Sequence, residues 1–292
     1  MENMNRKIIL MLTFIITTAV TGWTQSFTET INKELTFKTK SNNNTLLIDN
    51  VSGDIVIEGY SGENVIIEVK KKLSARTDRL LNQAKLDLKL TIEETNDSII
   101  IYIDGLCNCN CGGGYGNRRY NWNNCENNYR YYFDFHVKVP ERTNLELYTV
   151  NNGDIKVSNV NGEVGAKNVN GGIFLSGLTN GTEAHTINGD IEIKYKKNPT
   201  VGSRYYTLNG DLNVYYLPDL SADMSFKSYN GKFYTSFDIT ERLPAKLSRS
   251  ERGNGRGIIY KIEERTAVRV GNGGVTLDFE TFNGDIFIRK NQ

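Results

Sequence analysis

The feature that most constrains this chain is a short phrase that keeps returning. Thr186–Ile193 reads TINGDIEI, Thr207–Val214 reads TLNGDLNV and Thr281–Ile288 reads TFNGDIFI. Ser228–Tyr234 (SYNGKFY) and Thr149–Val157 (TVNNGDIKV) are variants. The turn glycines Gly153, Gly171, Gly189, Gly210 and Gly231 are spaced by 18, 18, 21 and 21 residues, with weaker half-turns at Gly162 and Gly181. Self-similarity near twenty residues predicts a stacked repeat in which no unit buries its apolar face alone.

Within each block the chemistry is legible. Asn and Gly accept sharp turns, and the alternation that follows puts pairs such as Ile191 and Ile193 on one face and Glu192 on the other. Asn-Gly between alternating apolar residues also signals a hairpin, so an antiparallel meander or sandwich is the alternative. Near-identical neighbours suit strands stacked by translation, like above like. The predicted fold is therefore all-β, a parallel β-solenoid (β-helix-like) with an N-terminal strand and short-helix cap.

The cap comes from the less repetitive residues 25–139. Leu46–Ile48, Ile55–Ile57 and Val65–Ile67 read as short strands, and Ser74–Ala84 is the one helical candidate. Leu86 to Ile92 and Ile99 to Ile103 alternate about a turn at Asn96-Asp97, a predicted hairpin, and Tyr131–Val139 reads as a strand. Residues 105–130 break off into an Asn/Gly/Cys/Tyr-rich insert. Residues 140–292 hold the repeats, interrupted after Phe237 by a basic loop, with the insertion placed at 240–260 and carrying Arg242, Lys246, Arg249, Arg252 and Arg256. A solvated loop is the preferred reading of that run.

The first 24 residues have the plan of a signal peptide: Arg6 and Lys7, the apolar run Ile8–Val20, then small residues at Thr21, Gly22 and Thr24. The run is short for a membrane span. Cleavage there predicts an extracytoplasmic protein (periplasm, outer surface or secreted) with no stable membrane insertion. The whole chain carries 35 Lys+Arg against 34 Asp+Glu, a balance that argues against nucleic acid as a partner.

Taken in order, the leader, VSGDIVIEGY (Val51–Tyr60), VIIEVKKK (Val65–Lys72), the short helix, the hairpin, HVKVPERTNLEL (His136–Leu147) and the NGDI blocks resemble the bacterial putative-adhesin family of exported NGDI-repeat β-helix proteins. The resemblance covers roughly residues 45 to 290. It implies a β-helix-like fold, an extracytoplasmic address and a non-catalytic adhesion or surface role, and brings no catalytic residues with it. The Cys-rich insert and the loop after Phe237 depart from the family's pattern.

The insert carries the chemistry that the repeats leave unexplained. Cys107, Cys109, Cys111 and Cys125 predict two disulfides in an oxidising compartment. A Cys-x-Cys bridge would be strained, which favours Cys107–Cys111 with Cys109–Cys125; four thiolates on zinc are the alternative. Trp122, Tyr115, Tyr120 and Tyr129, beside Asn121 and Asn123, form the candidate ligand site, since aromatic faces next to amides suit a sugar or peptide. Packing over the end of the solenoid is the competing role for these rings. Asp54, Asp154, Asp190, Asp211 and Asp285 follow turn glycines and read as turn caps bonding nearby backbone rather than as a calcium stack.

No nucleophile elbow, zinc-protease helix, phosphate loop or dinucleotide fingerprint is present in the sequence. His136 and His185 read as exposed strand residues without catalytic partners. The expectation is an exported, non-enzymatic, adhesin-like protein without metal or cofactor that binds a surface polymer, glycan or protein. A polysaccharide-acting β-helix enzyme and a ligand-free structural envelope protein are the alternatives.

Overall fold

The computed structural model of the chain describes residues 25–41, 43–105, 129–244, 247–251, 258–262 and 265–291. The expected leader and the four cysteines lie outside them. The chain begins with β1 (Gln25–Leu35), β2 (Thr45–Asp49), β3 (Ile55–Tyr60) and β4 (Val65–Ala75). Helix α1 (Asp78–Asp87) follows, then β5 (Lys89–Glu94), β6 (Ser98–Asp104) and β7 (Tyr129–Pro140). Next come β8 (Asn144–Tyr148), β9 (Ile155–Ser158), β10 (Val164–Lys167), β11 (Ile173–Leu178), β12 (Thr182–Asn188) and β13 (Ile191–Tyr195). They are followed by β14 (Ser203–Asn209), β15 (Leu212–Tyr216), β16 (Ala222–Ser228), β17 (Phe233–Thr235) and β18 (Ile239–Leu243). The last are β19 (Leu247–Glu251), β20 (Ile258–Ile262), β21 (Thr266–Val270), β22 (Val275–Asn283) and β23 (Ile286–Lys290).

Two large sheets hold nearly all of these strands. Sheet I has ten, in the order β1-β4-β7-β3-β9-β11-β13-β15-β23-β17. Sheet II has eleven, in the order β18-β21-β16-β22-β14-β12-β10-β8-β2-β6-β5. Each repeat contributes one strand to sheet II, turns at its NGD corner, and contributes the next strand to sheet I. The pairs β6/β7, β2/β3, β8/β9, β10/β11, β12/β13, β14/β15, β22/β23 and β16/β17 thus form rungs in the same spatial order in both sheets. Asn-Gly here turns a corner between sheets rather than closing a hairpin.

All neighbouring rungs pair in parallel, as between Ile191 and Leu212 or between Thr207 and Thr281. The flanks are antiparallel: β1 with β4, β4 with β7 and β5 with β6 at one end, β16 with β21 and β21 with β18 at the other. The all-β expectation holds, but the sheets are mixed and do not close, so the parallel and antiparallel readings each describe a part. Antiparallel flanking strands cover three of the four edges of the parallel stack, and β17 ends sheet I at the fourth.

The rungs are not in chain order. The C-terminal rung β22/β23 lies between β14/β15 and β16/β17. The β6/β7 rung likewise lies outside β2/β3, and residues 105–128 join its two strands where other rungs have an NGD corner. Parallel backbone ladders are interchangeable between repeats, so sequence order does not dictate spatial order.

The core fills the space between the sheets with alternating inward side chains; Ile55, Leu147, Ile191, Ile193, Leu212, Phe279, Ile286 and Ile288 are fully buried. Among them three buried tyrosines form a hydroxyl chain, Tyr195 to Tyr205 at 2.8 Å and Tyr205 to Tyr216 at 2.9 Å. Burial raises the pKa of all three phenols, so they stay neutral and serve one another as donor and acceptor. Helix α1 covers the N-terminal end with Leu81 and Ala84. It starts later than predicted because Ser74 and Ala75 still belong to β4, paired on both sides; Thr77 then caps it through its hydroxyl at 3.3 Å from the Leu80 amide. The stretch after Phe237 is also more ordered than a plain loop, holding β18 and the antiparallel pair β19–β20.

Candidate binding face

The repeat phrase is explained letter by letter by contacts between rungs, which removes it from the list of candidate sites. The buried Thr hydroxyls donate to the glycine carbonyl of the preceding rung: Thr186 to Gly171 at 2.9 Å, Thr207 to Gly189 at 2.9 Å and Thr281 to Gly210 at 3.2 Å. The Asn side chains form an amide ladder, Asn170 to Asn151, Asn188 to Asn170, Asn209 to Asn188, Asn283 to Asn209 and Asn230 to Asn283, at 2.7–2.8 Å. Glycine is required because a Cβ on Gly189 would sit 2.3 Å from the Gly171 carbonyl oxygen. The Asp carboxylates accept the next rung's backbone amide, as Asp190 does from Asp211 and Asp211 from Asp285, both at 2.8 Å. The carboxylates therefore cap backbone, though on a neighbouring rung rather than within their own turn.

Once the phrase is set aside, the outward side chains of sheet II remain. Alternation sends the residues one and three places before each corner Thr to the outer face, and the parallel register lines them up across strands. The farther row reads Glu146, Gly165, Glu183, Arg204, Asp278, Ser225. The nearer row reads Tyr148, Lys167, His185, Tyr206, Glu280, Lys227. Beside them the residue just before each corner Asn is apolar, ending in Phe282 and Tyr229, whose rings lie 4.8 Å apart.

These rows line a recess of about 590 Å³ whose walls include His185, Arg204, Tyr206, Asp278 and Arg265. A second hollow of about 370 Å³ shares Glu183, Arg204 and Asp278 with it and continues toward Glu146 and Glu163. The floor there is open because Gly165 has no side chain; a Cβ would lie 2.5 Å from the Glu146 carboxylate. His185 and Tyr206 meet edge to face at 4.5 Å.

Charge on this face is partly satisfied and partly left available. Glu280 binds Arg265 and Lys227, Glu183 lies 4.0 Å from Lys167, and Tyr148 donates to Glu146 at 2.9 Å. Burial and the Glu146 partner raise the Tyr148 pKa, while burial and then Lys167 lower that of His185. Arg204 and Asp278, adjacent in register, make no ion pair or hydrogen bond among the described residues. Ser225 is 4% exposed, and its hydroxyl oxygen is buried with no hydrogen-bond partner among the described residues. Glu146, Glu183, Asp278 and Glu280 are matched by Lys167, Arg204, Lys227 and Arg265, with Glu163 at the far rim.

Of the residues expected to bind ligand, Trp122, Tyr115, Tyr120, Asn121 and Asn123 lie outside the described residues, as do Cys107, Cys109, Cys111 and Cys125. Tyr129 is placed at the start of β7, half-buried, with its hydroxyl 3.4 Å from Asp87 of α1. Burial and that carboxylate raise its pKa. His185 is half-buried in the recess, not the plain exposed residue expected, because Tyr206 on the next strand packs against it. Arg204, Tyr206, Ser225 and Asp278 were not singled out from sequence. Aligning the repeats on their Thr would have brought them into two columns.

Among the described residues no group of His, Cys, Asp and Glu could hold a metal ion, and no helix is long and apolar enough to cross a membrane. No family model matches the chain, and no curated protein resembles it significantly. Its fold is similar to that of a putative cell adhesion protein from Clostridium sporogenes (12% identity, 91% of this chain and 100% of that one, TM-score 0.39). It is also similar to a putative adhesin from Bacteroides fragilis (8% identity, 90% and 97%, TM-score 0.32). A third likeness is to a putative lipid binding protein from Parabacteroides distasonis (9% identity, 91% and 97%, TM-score 0.30). Likenesses this distant transfer no role to the present chain.

Proposed function

We propose that this protein is an exported, non-enzymatic, adhesin-like β-solenoid that binds an extended surface polymer along the outer face of sheet II. One observation carries the reading: a recess runs across adjacent parallel strands, and Arg204 and Asp278 within it are unpaired among the described residues. A rigid rung stack holds such side chains at a fixed spacing, so a long ligand meets a preorganised row of contacts. Export rests on the apolar run Ile8–Val20 behind Arg6 and Lys7.

The test is an array of glycans and extracellular-matrix proteins probed with the purified protein, alongside R204A and Y206A. Binding lost in both variants supports the assignment; binding unchanged by either removes it from this face.

Polysaccharide cleavage is the second reading. It is favoured by Glu183 and Asp278, which stand two strands apart on either side of Arg204. Two strand spacings are about 10 Å, at the upper limit of the carboxylate separation that inverting glycoside hydrolysis uses. Release of reducing ends from a bound polysaccharide, abolished in E183Q or D278N, would establish turnover in place of simple binding.

A further inference from the structure

We infer that the recess on sheet II takes an uncharged glycan chain lying along the rung stack, roughly one sugar per strand. The inference rests on the binding face proposed above and narrows its ligand to one chemical class.

The first argument is charge. Carboxylates and cations are interspersed along the recess, Glu183, Asp278 and Glu280 with Arg204 and Arg265, so a polyanion would meet Glu183 and Asp278 and a polycation would meet Arg204 and Arg265. A neutral polymer meets neither penalty, and its hydroxyls can both donate to Asp278 and accept from Arg204.

The second argument is spacing. Strands in a parallel sheet lie about 4.8 Å apart, close to the rise of one pyranose unit in an extended chain. Arg204 and Tyr206 on β14, Asp278 and Glu280 on β22, and Ser225 on β16 therefore repeat at intervals a glycan can match unit by unit. The ring of Tyr206, with the apolar row beside it, offers a surface for the C–H faces of sugar rings.

The experiment is calorimetry on the full chain with neutral oligosaccharides of two to eight units (β1,4-linked glucose, mannose, xylose and N-acetylglucosamine). A hexamer of alternating uronic acid and a basic decapeptide run alongside. The expected result is binding of at least one neutral series, with affinity rising to about six units and then levelling, one unit for each strand from β8 to β16 under the recess and the hollow that continues it. R204A and Y206A are expected to weaken it tenfold or more.

Tight binding of the uronic hexamer or the peptide in place of the neutral series, sensitive to R204A, overturns the neutral glycan and leaves the binding face standing. Absence of binding across the panel, or binding indifferent to R204A and Y206A, overturns both. An affinity that keeps rising from six to eight units overturns the one-sugar-per-strand register.

Discussion

The same rungs present two outer faces, and they differ in how completely their charges are paired. On sheet I the outward residues pair within the face: Lys138 with Glu58 at 3.3 Å, Lys156 with Asp154 at 3.4 Å, Lys194 with Glu192 at 2.6 Å. Arg289 donates to the Tyr215 hydroxyl at 2.9 Å, and Phe287 stacks on Tyr234 at 5.0 Å. On sheet II Arg204 and Asp278 face each other in register without pairing, beside a buried hydroxyl with no partner. Backbone and corners are common to both faces, so the difference lies wholly in the outward side chains. The proposed ligand face is the one where Arg204 and Asp278 stay unpaired among the described residues; sheet I has a hollow of its own, about 340 Å³, beside Lys156, Phe174 and Lys194, and both lysines there are ion-paired.

The largest way to break the comparison is to remove what both faces share. Ending the chain before Val275 deletes the rung whose Leu277, Phe279, Ile286 and Ile288 are fully buried. At roughly 1.5–3 kcal/mol for each buried side chain, the loss is about 6–12 kcal/mol, comparable to the whole stability of an ordinary domain. It would also strand β16/β17 away from the stack. We expect no cooperative melting transition by circular dichroism; a truncated chain that melts like the parent would refute the observed rung order.

G189A should come next. The added Cβ meets the Gly171 carbonyl oxygen at 2.3 Å, backbone against backbone, so the two rungs must separate. A loss of about 3 kcal/mol is expected, visible as a fall in the urea midpoint. Because the corner serves both faces, the folded fraction should still bind as the parent does. T207V removes the 2.9 Å bond to Gly189 while keeping the shape, and should cost about 1–2 kcal/mol in the same measurement.

Changes confined to one face sharpen the contrast. K194A breaks the 2.6 Å pair with Glu192, yet nearly half of the lysine side chain is exposed, and such surface pairs contribute about 0–1 kcal/mol. R204A breaks no pair among the described residues. Both variants should melt within a degree or two of the parent, but only R204A should lose binding. Equal loss in both would mean that the faces are equivalent.

Much of this was legible in the repeat phrase, and the reason is physical. Thr, Asn, Gly and Asp each make one contact with the next rung, so the phrase or a variant of it recurs at every rung except β6/β7. The corner itself was ambiguous, since Asn-Gly turns a hairpin or a sheet-to-sheet corner equally well, and only the pairing of β12 with β14 rather than with β13 decides. The place of β22/β23 between older rungs was illegible, because identical ladders accept either neighbour. The proposed binding face was hidden for a related reason: Glu183, Arg204 and Asp278 are neighbours only through register, across nearly a hundred residues of chain.

The smallest expected effect belongs to His185, and its sign follows from burial. Its pKa is lowered from the ordinary 6.5, first by desolvation and then by Lys167, with Glu183 pulling the other way. Tyr206 packs against it, and Glu280 lies one strand beyond. The unfolded chain therefore binds the proton more readily than the folded one. Stability is full above 6.5 and declines as pH falls below it toward the folded value. Because the ring is only half-buried, solvent screening should hold the change to roughly a few tenths of a kcal/mol. H185Q should flatten this part of the pH–stability curve and leave the rest intact. Protonation also adds a positive charge to the open face and none to sheet I, so binding on sheet II should shift over the same pH range. A shift of equal size in H185Q would place the titrating group elsewhere.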